Sequence, residues 1–83
     1  MSTIDRLRRI LRDALQLGAR ADALREDSPL IGSIPEFDSM AVVTVITMIE
    51  EDFGITVDDD EMSAEVFETL GALNRFVSAK ANL

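Results

Sequence analysis

The 83-residue chain has no cysteine, no histidine and a single lysine, Lys80. Without cysteine or histidine it has neither a disulfide nor a Cys/His metal site, so packing alone must hold it. With no thiol and no imidazole to activate a hydroxyl, it lacks the parts of an independent nucleophilic catalyst, and no residue is assigned a catalytic role. The longest apolar run, Met40 to Ile49, covers ten residues and includes Thr44 and Thr47. A membrane-spanning helix needs about 20, so no span is expected. The start, Ser2-Thr3-Ile4-Asp5-Arg6, is charged too early for a signal peptide. A cytoplasmic location fits these features and the missing cysteines.

Basic residues are also few. Eight Lys and Arg stand against sixteen Asp and Glu, for a net charge of −8. The imbalance is local: residues 1–28 hold six Arg and five acids, whereas residues 29–83 hold Arg75 and Lys80 against eleven acids. Such a surface repels nucleic acid and anionic lipid and attracts basic protein surfaces. The length predicts one domain, 1–83, and the 47% hydrophobic content is enough to give it a core.

The residues that are present read as helices. Ser2 or Thr3 caps a first helix carrying Asp5 in its first turn. Its apolar stripe is Ile4, Leu7, Ile10, Leu11, Ala14 and Leu15, and Gly18 ends it near residue 17. Residues 18–37 form a long connection broken by Pro29, Gly32 and Pro35, with at most a partial turn near Ala19 to Leu24. A loop of that length in a small domain signals function or firm anchoring. Leu30, Ile31, Ile34 and Phe37 are the expected buried anchors. A second helix runs from about Ser39 to Phe53, where Gly54 stops it. Ile55-Thr56-Val57 is an extended link. Asp58-Asp59-Asp60-Glu61 starts a short third helix with Met62, Val66 and Phe67 as its apolar contacts. Thr69 caps a last helix over 70–80, with Leu70, Leu73, Phe76 and Val77 inward and Gly71 as a mild weakness. The fold class is all-α: a four-helix bundle of three main helices plus one short helix, with a long loop between helices 1 and 2.

The second helix carries the chemistry. At about 100° per residue, Val42, Val45, Ile46, Ile49 and Phe53 share one face, which faces the core. Met40, Val43, Thr44, Thr47 and Glu51 fall on the opposite arc, leaving two apolar side chains in solvent beside Ser39. A helix N-terminus offers unpaired N–H groups and partial positive charge, so a phosphate attached to Ser39 is favoured there. Asp38 puts a carboxylate next to that hydroxyl. In the plainer interpretation, Ser39 or Asp38 is only a helix cap.

Asp38-Ser39-Met40, the apolar helix ending Ile49-Glu50-Glu51-Asp52-Phe53-Gly54-Ile55, and Phe67-Glu68-Thr69-Leu70-Gly71-Ala72-Leu73 together resemble the acyl carrier protein family, including its aminoacyl and peptidyl carrier relatives. The resemblance covers nearly the whole chain. It implies that Ser39 carries 4′-phosphopantetheine, whose thiol bears acyl or aminoacyl groups as thioesters between partner enzymes. Asp38 would assist the phosphopantetheinyl transferase through its Mg²⁺ during modification. Met40, Val43, Thr44, Thr47 and Glu51 become the partner-docking face. Ile46, Ile49, Met62, Phe67 and Leu73 flank a cleft that could shelter an acyl chain, or are ordinary core. The implied partners are the phosphopantetheinyl transferase, an acyl- or aminoacyl-activating ligase, and a synthase or acyltransferase, all meeting a monomeric carrier with no enzymatic activity of its own.

Departures from the family pattern narrow the reading. Met40 stands for leucine, Glu36 for a glycine, and no acid occurs between Asp38 and Glu50. Docking near Ser39 then rests on apolar contact more than on charge, and a dedicated biosynthetic pathway is favoured over general fatty-acid synthesis. Asp58 to Glu61 lack the spacing and mid-loop glycine of a calcium loop, so no metal site is assigned. Glu50, Glu51 and Asp52 point apart on a helix and do not converge on one substrate. At a helix C-terminus they oppose the dipole, which suggests acids kept for a partner. The competing functional reading is an unmodified acidic adaptor that binds a protein partner, with Ser39 only a cap.

Overall fold

Three amphipathic segments form three α-helices: α1 (Thr3–Leu15), α2 (Ser39–Phe53) and α3 (Leu70–Lys80). Two 3-10 segments, Gly18–Ala23 and Asp59–Glu61, lie between them. The computed structural model describes residues 2–31, 34–35 and 37–82. Gly32 and Glu36, singled out in the sequence, lie outside that set. Among the described residues there is no strand, only a single antiparallel bridge between Pro29 and Thr69. The architecture is the expected helical bundle with a long first connection.

α1 packs against α2, α3 and the first 3-10 segment. Leu7 and Leu11 of α1, Val45 and Ile49 of α2, and Leu70, Leu73 and Val77 of α3 are fully buried together, with Leu30 from the loop. Val42, Phe53 and Phe76 pack against this core while only partly buried. The caps follow the sequence. Ser2 Oγ accepts from the Asp5 N–H, Thr69 Oγ1 accepts from the Ala72 N–H, and Gly54 closes α2 at φ 68°. α1 departs from expectation at its end. It stops at Leu15, and Gln16 rather than Gly18 takes the left-handed cap position, at φ 54°. Gly18 is left-handed too, at φ 59°, opening the 3-10 segment.

The long connection is held by backbone as well as by side chains. Leu30 N–H donates to the Glu68 carbonyl at 3.1 Å and Ile31 N–H to Phe67 at 3.2 Å. In return, Leu70 N–H donates to Ser28 at 3.0 Å and Gly71 N–H to Glu26 at 2.8 Å. This extended pairing corrects the expected burial of all four anchors. Successive side chains of an extended segment alternate, so Leu30 goes inward and Ile31 turns outward, 46% exposed. Ile34 is half-buried and Phe37 buried. The Phe37 ring meets Phe67 edge-on at 5.6 Å, a favoured aromatic geometry. Because Phe37 directly precedes Asp38, this contact fixes where α2 begins.

The third helix is shorter than the sequence suggested. Only Asp59–Glu61 is helical, and residues 63–68 continue as tight turns closed by Val66 N–H to Ser63, Phe67 N–H to Ala64 and Glu68 N–H to Glu65. Phe67 is nonetheless buried, with Met62 and Val66 against the core. Lys80 clasps both carboxylate oxygens of Glu61, at 2.7 and 2.9 Å, and so ties this stretch to the end of α3.

Candidate functional site at the start of α2

Asp38 has extended backbone, and its Oδ1 accepts the Ala41 N–H at 2.8 Å. Asp38 is therefore the N-cap and Ser39 the first helical residue. The interpretation of Ser39 as the cap is overturned: its hydroxyl makes no hydrogen bond to any described group, and the residue is exposed. Val42 N–H donates to the Asp38 carbonyl, and among the described residues no group accepts from the N–H of Ser39 or Met40. An exposed hydroxyl at the positive end of a fifteen-residue helix suits an anionic ester. The second Asp38 oxygen accepts from no described group.

The surface around Ser39 is apolar. Among the described residues, the large hydrophobic side chains that stand exposed are Met40 at 75%, Val43 at 58% and Ile31. Thr44 and Thr47 are exposed on the same side of α2, but their hydroxyls donate back to the carbonyls of Met40 and Val43, at 3.3 and 2.9 Å. Their polar groups are thus internally satisfied, which makes this stretch of α2 less polar than its composition suggests.

At the other end of α2 the three acids separate in role. Glu50 Oε2 accepts the Val57 N–H at 2.9 Å and holds the link after the helix. Asp52 accepts Arg6 Nε at 3.0 Å, while Arg6 also reaches the Asp52 carbonyl and lies 4.0 Å over the Phe53 ring. These two carboxylates serve the fold, contrary to the idea that all three acids wait for a partner. Glu51 is exposed and makes no such contact among the described residues.

An open hollow of about 260 Å³ is lined by Ile31, Val42, Met62, Ser63, Ala64 and Phe67. Met62 and Phe67 are thus brought to its wall. Ile46, Ile49 and Leu73 are buried members of the common core. Ile31 and Val42 were missed as lining residues, because the alternation that turns Ile31 outward depends on pairing with residues 67–68, which the sequence does not display.

The chain matches the family described as phosphopantetheine attachment site over residues 5–77. It is also similar to a holo acyl carrier protein from Nitrosomonas europaea, known from a solution NMR structure. The two are 53% identical, the match covers 100% of each chain, and the TM-score is 0.91.

Proposed function

The chain belongs to the acyl carrier family of phosphopantetheine-bearing proteins, and from that premise we propose that Ser39 bears the arm. The observation that carries this assignment is the pairing of Asp38 and Ser39: one caps α2, leaving the other's hydroxyl exposed and bonded to no described group. When attached, 4′-phosphopantetheine supplies the thiol that this cysteine-free chain lacks, and acyl groups ride on it as thioesters. Asp38 steadies the helix start through one oxygen and offers the other to the transferase's metal ion. Met40, Val43, Thr44 and Thr47 form the apolar part of the docking face, and Glu51 adds a free charge further along α2 for a basic partner. The hollow beside Ile31, Val42, Met62 and Phe67 shelters the proximal part of a bound acyl chain, while Ile46, Ile49 and Leu73 lie in the core rather than on its wall.

The single 1–83 domain acts as a cytoplasmic, monomeric shuttle with no chemistry of its own. Its one lysine is held by Glu61, and it has no imidazole. Its partners are the phosphopantetheinyl transferase, an acyl- or aminoacyl-activating ligase, and a synthase or acyltransferase of a dedicated pathway. Incubation with coenzyme A and a broad-specificity phosphopantetheinyl transferase tests this. The intact mass should rise by one phosphopantetheinyl group, and Ser39→Ala should abolish the rise. An unchanged mass, where a control carrier is modified, would refute it.

A further inference from the structure

Met40 follows Ser39 directly and is more exposed than Val43 or Ile31. Met48 and Met62 are partly buried against the core. A leucine of nearly the same volume would give the same apolar surface. What the thioether adds is a soft sulfur open to oxidation. The chain offers no cysteine to consume an oxidant first, and a thiol on the arm is masked whenever it is acylated. The sulfur thus stands in the exposed apolar surface beside Ser39, about one helical turn from Val43.

We propose that Met40 is an oxidation site at which peroxide switches off docking around Ser39. The thioether lone pair attacks one peroxide oxygen. The O–O bond breaks as the S–O bond forms, and the second oxygen leaves as water with both protons. The sulfur is oxidised by two electrons and the peroxide is reduced. The product is a polar sulfoxide that needs hydrogen bonds, placed where a partner presents apolar surface. Desolvating it in the complex opposes docking. A methionine sulfoxide reductase reverses the change, taking the oxygen out as water and oxidising two thiols to a disulfide. The effect on docking rests on Ser39 being the loaded residue, whereas the site of oxidation does not.

The test treats the unloaded protein with hydrogen peroxide and maps the added oxygen by peptide mass spectrometry. Loading from coenzyme A by a phosphopantetheinyl transferase is then timed. Met40 should gain oxygen before Met48 and Met62. Loading at limiting protein should slow about tenfold, the scale of spoiling one apolar contact, with helical content unchanged. Sulfoxide reductase should restore the rate, and in Met40→Leu peroxide treatment should leave the variant's own loading rate where it was before treatment. Earlier oxidation of Met48 or Met62, an unchanged loading rate after Met40 is oxidised, or slowing accompanied by loss of helicity would each overturn the proposal. If the untreated protein is not loaded at all, the Ser39 assignment fails and the docking effect fails with it, while the oxidation map still reports on the sulfur.

Discussion

The backbone N–H of Gly71 donates to the Glu26 carbonyl at 2.8 Å, and a Cβ built on Gly71 would stand 2.8 Å from that same oxygen. Glycine early in α3 is therefore a condition of the loop lying against the helix. Gly71→Ala should destabilise the fold by about 1–2 kcal/mol, although alanine normally favours a helix interior by about 1 kcal/mol over glycine. Urea denaturation checks the sign. A more stable variant would mean that the loop yields to the methyl group.

Asp38 caps α2, and its proposed second task, in loading, is separated from capping by asparagine and alanine. Asp38→Asn keeps an acceptor for the Ala41 N–H and should leave stability nearly unchanged, because asparagine caps as well as aspartate. It should still slow loading, since the charge offered to the metal ion is gone. Asp38→Ala should slow loading and also lose about 1 kcal/mol of stability. Equal loading rates for Asp38→Asn and the parent would remove the charge from the account.

Val43 tests the proposed docking face. At 58% exposure, Val43→Asp should change stability by less than about 0.5 kcal/mol, as a surface substitution does. Transfer to and from partner enzymes should fall. Circular dichroism and a transferase rate suffice to check both, and a large loss of helicity would show that Val43 supports the core.

Glu61 gives a pH signature. Its carboxyl is held below the ordinary value of 4.5, first by the hydrogen bond from Lys80 and then by the Asp58 N–H and the Lys80 charge. A depressed carboxyl stabilises the fold above the unfolded pKa and loses that contribution as pH falls through the folded one. Glu61→Gln should therefore be less stable than the parent at pH 7, and the gap should narrow as pH drops below about 4.5. Melting curves at several pH values test this. A gap that stays constant would mean the clasp adds nothing.

Much of this was legible in the residues. The span of α2, the cap at Thr69 and the outward arc through Met40 and Val43 all follow from periodicity and cap chemistry, which are local. The unread features depend on contacts distant in sequence. Ile31 faces out because its segment pairs with residues 67–68. Gly71 is required because Glu26 sits over it. Glu50 and Asp52 look like partner-facing acids until Val57 and Arg6 arrive beside them. The third helix was overdrawn because acids at 58–61 promise a helix start, whereas the turns after it set its length. Ser39 was legible as a candidate handle, but which of Asp38 and Ser39 caps the helix was decided only by the hydrogen bond to Ala41.

The most direct measurement is fragmentation mass spectrometry of the enzymatically loaded protein, which locates the added group among the six serines of the chain. The phosphopantetheinyl mass should map to Ser39 alone. Finding it on Ser2, Ser28, Ser33, Ser63 or Ser78 instead would contradict the assignment of α2's first residue as the handle.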